Sequence, residues 1–278
     1  MKFINIVFVL ILTCNLSAQK TVEDFGYKKF SIQYLGDTVK FILPIKKNEK
    51  LKKKPVLFMI QGSRAQPLIG YMSDKRYSSS ITLLDFDLWL DSFHVITVSK
   101  PGIPLIIHYD KLNKKGEFVD NITNQPPKKY IENNNLEYYT KRNYEVIKYL
   151  MKQDWVDTTK IVVAGHSEGS SIALDMADKI EEVTHLIYSS GNPYYSTILD
   201  VVQKERKSEK NGKEDKTKLI FEYWKMVVNS PLSLSSEKGE DTYRYMYSFS
   251  QNENEKLKRI KKPTLITYGT LEMVIVRL

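Results

Sequence analysis

Residues 161–177 constrain the fold more than any other stretch. The apolar run Ile161-Val162-Val163-Ala164 feeds directly into Gly165-His166-Ser167-Glu168-Gly169. Small and apolar residues then continue at helical spacing through Ser170, Ser171, Ile172, Ala173, Leu174, Met176 and Ala177. A compact apolar run of that length marks a strand buried on both faces, as in a parallel sheet. The passage from strand to helix is abrupt. It requires a sharp turn with Ser167 in a strained backbone conformation and its hydroxyl turned outward. Side chains flanking that turn would collide with neighbouring elements, so glycine is needed at 165 and 169. The helix that follows points its first N–H groups at the same spot.

The rest of the chain repeats the alternation. Strands are expected at residues 30–35, 39–44, 55–60, 94–98, 160–164, 185–188 and 263–268, with Gly36-Asp37 as a hairpin turn between the first two. Helical spacing of apolar residues covers 81–93 and 136–153, with Tyr139, Val146, Tyr149 and Leu150 facing inward. Trp155-Val156-Asp157 reads as a short turn, and residues 110–135, polar and interrupted by Pro126-Pro127, as a loop. Strands alternating with helices predict an α/β fold: one domain with a mostly parallel sheet and helices on both faces. Residues 192–262, rich in Lys and Glu, read as a mostly helical, cap-like insert between two strands.

At 278 residues the chain is long enough for one large α/β domain, and 42% hydrophobic residues exclude disorder throughout. Residues 1–19 read as a signal peptide. Lys2 supplies the positive end, 4–12 is an apolar run broken only by Asn5, and Leu16-Ser17-Ala18-Gln19 offers the cleavage site. The run is too short for a stable membrane span, so the mature domain, 20–278, is expected to be exported to the periplasm or secreted. Lipid anchoring at Cys14, the only cysteine, is the alternative, and Thr13 fits a lipobox poorly. Without Cys14 the mature chain has no disulfide and no thiolate metal site.

The net charge is +9, but its lysines are scattered over polar stretches. With no nucleic-acid-binding motif beside them, they read as a solvated surface rather than a nucleic-acid site. No His/Asp/Glu cluster has metal-ligand spacing, and G-x-G-x-x-G is absent, so neither a metal nor a nucleotide cofactor is expected.

The G-x-S-x-G turn in strand–turn–helix context is a nucleophile elbow, and through it the chain resembles the α/β-hydrolase superfamily over residues 30–272. Gln61-Gly62-Ser63 resembles that family's oxyanion loop, and Lys100-Pro101-Gly102 its Arg-Pro-Gly turn. Trp155-Val156-Asp157 together with His-Ser-Glu-Gly is similar to dienelactone-hydrolase and prolyl-oligopeptidase-related members. The resemblance implies that Ser167 is the nucleophile. The oxyanion would be held by the Glu168 N–H and an N–H near Gly62 or Ser63. Glu272, in Gly269-Thr270-Leu271-Glu272, falls at the position of the catalytic acid. The implied substrate is an ester, amide or thioester of a small molecule or peptide, cleaved without a cofactor.

One part of the pattern fails. The family order puts the catalytic histidine after the acid, whereas His94, His108, His166 and His185 all precede Glu272. His166 reads as a packing residue, His94 and His185 as strand residues, and His108 as a loop residue. Residues 273–278 are apolar where a polar loop is expected, as a frameshift or early stop near Thr270 would produce. The expectation is therefore a chain without the last strand and helix of the fold, impaired as a hydrolase. Loss of one triad member leaves about 10³–10⁴-fold catalysis over water. The alternative is a non-catalytic or degraded member of the same fold that binds a ligand. Substrate identity and oligomeric state are not set by the sequence.

Overall fold

The computed structural model describes residues 20–46, 51–73, 76–79, 89–210, 217–236 and 241–269. The segment expected to be a signal peptide, with Cys14, and the expected acid Glu272 lie outside these residues. So does most of the helix expected at 81–93, of which Trp89 and Leu90 are described and helical.

After a 3-10 turn at Glu23–Phe25, the first two strands form a hairpin, β1 (Tyr27–Tyr34) and β2 (Asp37–Pro44). Leu35 and Gly36 make its turn, both with positive φ (47° and 73°). Such a primed turn matches the twist of the two strands. Asp37, expected in the turn, already pairs with Tyr34.

β3 (Lys54–Ile60) leads to the short hairpin β4 (Ile69–Ser73) and β5 (Arg76–Ser79), then β6 (His94–Val98) and β7 (Ile106–His108). Helices α1 (Lys128–Asn133) and α2 (Leu136–Leu150) precede β8 (Val156–His166), α3 (Glu168–Lys179) and β9 (His185–Ser189). Between β9 and β10 (Thr264–Thr267) come α4 (Ser196–Lys210), α5 (Thr217–Asn229), α6 (Tyr243–Ser248) and α7 (Asn254–Arg259).

The main sheet runs in the order β1-β2-β6-β3-β8-β9-β10. Pairing is parallel from β6 across to β10, and antiparallel at β1–β2 and β2–β6. Its interior strands are apolar at successive positions because each face has its own core. In β3, Val56, Phe58 and Ile60 enter one core and Leu57 the other. In β8, Ile161 and Val163 enter the first, Val162 and Ala164 the second.

The first core is closed by α2 and α3, with Val227 of α5 and Tyr245 and Met246 of α6. The second is closed by Val22, Phe25, Leu68, Ile69 and Leu105, with Trp89, Leu90 and Phe93 against them. Tyr139, Val146 and Leu150 of α2 are buried, as its spacing predicts, and Tyr149 is half-buried. Asn135 starts this helix, its side-chain oxygen accepting the Tyr138 N–H at 3.0 Å.

Two expectations are corrected. Residues 110–135 are not all loop, because α1 lies within them. Trp155-Val156-Asp157 is not a free turn either. β8 begins at Val156, which pairs with Lys54 before a register shift. The second sheet, β5-β4-β7, was not expected; its strands are three to five residues long and largely exposed or half-buried.

After β3 the chain adds β6 on one side, then returns to add β8 on the other. Such a switch point opens a crevice at the carboxyl ends of the strands, where ligands bind in open α/β sheets.

Candidate active site

Ser167 stands at that crevice. It lies between His166, the last residue of β8, and Glu168, the first of α3. Its backbone has φ 55° and ψ −127°, and the residue is exposed. Positive φ in a non-glycine residue is strained and persists only where neighbours enforce it. Here they do. The Ser167 N–H donates to the Ser189 carbonyl at 3.0 Å, and its carbonyl accepts from the N–H and the hydroxyl of Ser170 at 2.9 and 2.5 Å.

The flanking glycines answer to space rather than to φ. A Cβ on Gly165 would run into the Gly169 carbonyl, and one on Gly169 would lie 2.5 Å from the Ile60 oxygen and 2.7 Å from that of Gln61. The same close packing brings the end of β3 to the elbow. A Cβ built on Gly62 would sit 3.9 Å from the Ser167 Cβ. Gln61 donates through its amide to the Val98 carbonyl at 3.2 Å, and the Tyr130 hydroxyl donates to the Ser63 carbonyl at 2.6 Å. Gly62, Ser167 and Glu168 are thus brought together, with Ser63 next in the chain. As the first residue of α3, Glu168 has an N–H with no intrahelical acceptor, at the positive end of the helix dipole.

The histidines are engaged elsewhere. His166 Nδ1 contacts the Ser189 hydroxyl at 3.2 Å. His94 is buried against the carbonyls of Lys52 and Trp155. His108 pairs with Asp110 at 2.9 Å, and His185 contacts the Thr184 hydroxyl at 2.8 Å. Among the described residues, no side chain hydrogen-bonds the Ser167 hydroxyl. Among the described residues, no group of three or more His, Cys, Asp or Glu suits a metal ion, and no helix is long and apolar enough to cross a membrane.

Three buried charge clusters around α3 escaped the sequence. Lys100, just past β6, places its Nζ 3.6 Å from a Glu168 carboxylate oxygen, with both side chains almost fully buried. Desolvation pushes the Lys100 ammonium below its ordinary pKa, and the Glu168 charge opposes that shift. Asp175, in the third turn of α3, accepts from Thr140 at 2.9 Å and pairs with Lys179 and Lys256. Burial raises its pKa, but the two lysines outweigh it and leave the carboxyl below its usual range. Glu253, at the start of α7, accepts from the Tyr188 hydroxyl at 3.2 Å. Burial pushes it up to about 7, against the lowering effects of Ser171, Lys256 and Tyr188.

No family model and no curated protein matches the chain. Solved structures do. A 2,6-dihydroxy-pseudo-oxynicotine hydrolase is 17% identical with a TM-score of 0.48, over 86% of this chain and 52% of that one. An acylaminoacyl peptidase of Pyrococcus horikoshii is 12% identical with a TM-score of 0.48, over 87% and 31%. The α/β hydrolase GrgF from Penicillium sp. sh18 is 13% identical with a TM-score of 0.49, over 89% and 81%. The chain thus spans about half the length of the first and about a third of the second. The chain's own geometry, a serine on a strand-to-helix elbow at the carboxyl end of a central strand in a mostly parallel sheet, is that of the α/β-hydrolase fold.

Proposed function

We propose that this protein is a serine hydrolase that cleaves an ester, amide or thioester through an acyl-enzyme at Ser167. One observation carries the reading: an exposed serine is held at positive φ, directly before a helix whose first N–H is unpaired within the helix. A fold stores strain of that kind at functional positions.

In this reading the Ser167 oxygen attacks the substrate carbonyl carbon while its proton passes to a base. The carbonyl oxygen becomes an oxyanion, accepted by the Glu168 N–H and an N–H at Gly62 or Ser63. Such donors act before the reaction begins, because the fold has already oriented them. The tetrahedral species then collapses, and the alcohol, amine or thiol leaves with a proton. Water attacks the acyl-enzyme in the same geometry and frees Ser167. Glu272 is the proposed acid. A serine hydroxyl is a weak nucleophile until a base takes its proton, and no described histidine hydrogen-bonds the Ser167 hydroxyl. The α4–α7 segment shapes the pocket, and the pattern of residues 1–19 assigns the protein to export.

The second reading is a non-catalytic binding protein on the same scaffold, favoured by the absence of a hydrogen bond to the Ser167 hydroxyl among the described residues. Short-chain p-nitrophenyl esters and acyl thioesters decide between them, using the full-length gene product. The hydrolase reading predicts turnover, or at least one equivalent of acyl adduct, absent from Ser167→Ala. Equal rates for wild type and variant would overturn it.

A further inference from the structure

The Lys100–Glu168 pair is hard to explain as a stabilising contact. Its side chains are about 4% and 6% exposed. At 3.6 Å it is an ion pair beyond ordinary hydrogen-bond distance; neither the Lys100 Nζ nor either Glu168 carboxylate oxygen has a hydrogen bond of good geometry, and the buried Tyr245 hydroxyl is the other polar group facing that carboxylate. Taking two charges out of water costs more than such a geometry returns, and an apolar pair of similar volume is often as stable or more so. Buried polar groups left unpaired call for another explanation.

Their place in the fold supplies one. Glu168 directly follows Ser167, and its backbone N–H heads α3. Lys100 is fixed from the opposite side of the crevice. Ser99 before it binds the Lys40 carbonyl through both its N–H and its hydroxyl, and its own carbonyl accepts from Arg142 at 2.7 Å. The Lys100 carbonyl accepts from the Ile103 N–H across Pro101-Gly102, with Gly102 at φ 71°. Proline followed by a positive-φ glycine makes a rigid type II turn. The Lys100 ammonium also lies 5.5 Å from the ring centre of Tyr130 and 5.8 Å from that of Tyr139. Tyr130 is the residue whose hydroxyl binds Ser63. One lysine therefore contacts both the start of α3 and the aromatic ring that tethers the loop after Gly62.

We propose that Lys100 is a positioning residue: its pairing with the Glu168 side chain sets the first turn of α3, and with it the direction of the Glu168 N–H toward the oxyanion. This rests on the reading of Ser167 as nucleophile. The lysine takes no proton and touches no substrate. It holds one wall of the oxyanion site against the other, and a low-dielectric surrounding makes that attraction strong.

The test measures acylation of Ser167 by a fluorophosphonate probe, resolved into a binding constant and a maximal rate, alongside thermal melting. It uses the full-length protein, Lys100→Met, Glu168→Gln, the double variant and Lys100→Arg. None of these removes the oxyanion donor, because that donor is backbone. Each neutralising single variant strands a buried charge and is expected to melt lower; the double variant recovers. The maximal rate per folded molecule is expected to fall about 10-fold or more in Lys100→Met and to stay low in the double variant, with probe binding within about twofold of wild type. Loss of a whole oxyanion donor typically costs about 10²–10³. Lys100→Arg restores the rate. A cavity of about 20 Å³, lined by Gln61, Lys100, Tyr139, Arg142 and Asn143 among others, adjoins the lysine.

A double variant that regains both stability and the wild-type rate would show a purely structural pair and overturn the positioning role. If Lys100→Met does not fold, the double variant and Lys100→Arg decide by the same criteria. A wild-type protein that takes no label at Ser167 would overturn the nucleophile reading and the positioning role together. Melting of the four forms would still report whether the two charges are coupled.

Discussion

At the scale of single residues, the site is governed by where a Cβ can and cannot go. Replacing a helical glycine by alanine ordinarily stabilises by about 0.5–1 kcal/mol. Gly169 reverses the sign, because its Cβ would lie 2.5 and 2.7 Å from two backbone oxygens of β3 and its following residue. Gly169→Ala is expected to cost about 1–3 kcal/mol or more in chemical denaturation, and a neutral variant would contradict the packing described. Glu253 gives a second residue-scale prediction. Its carboxyl moves from an ordinary value of 4.5 to about 7 on folding. The folded state therefore binds the proton more tightly, and stability falls as pH rises from about 4.5 to 7, by on the order of 3 kcal/mol. Glu253→Gln should flatten that window and melt above wild type at pH 8. A variant with the wild-type slope would place the titration elsewhere. Ser167 and its glycines were legible because strand, turn and helix are contiguous in the sequence. Lys100 and Glu168 were not, because their pairing depends on β6 and β8 flanking β3, and no local pattern reports it.

At the scale of elements, strands sandwiched between two cores announce themselves. Residues 55–60, 95–98 and 161–164 are apolar but for Thr97, and the structure has strands at each. Elements that bury one face or none do not. β4, β5 and β7 were missed for that reason, and α1 was hidden in a polar stretch behind Pro126-Pro127. Yet α1 matters to the site, since Tyr130 ties it to the loop after β3. Tyr130→Phe removes one hydrogen bond, worth about 1 kcal/mol. If that bond places the Gly62–Ser63 backbone, Ser167 acylation should slow several-fold while the melting temperature drops by only a few degrees. An unchanged acylation rate would show that the loop is placed by Gln61 and the packing of β3 alone.

At the scale of the whole molecule, the topology decides where chemistry can occur. The switch between β6 and β8 on either side of β3 gathers Gly62, Lys100 and Ser167 at one end of the sheet, from segments far apart in the chain. The α/β class followed from the alternation of apolar runs and helical spacing. The strand order did not, because nothing local says on which side of β3 the chain returns. The measurement that tests the central claim most directly is covalent labelling of the native full-length protein with a fluorophosphonate, the adduct located by peptide mass spectrometry. The account predicts one adduct, on Ser167, lost on denaturation in guanidinium and in Ser167→Ala. No adduct on the native protein, or one that persists in Ser167→Ala, would contradict it.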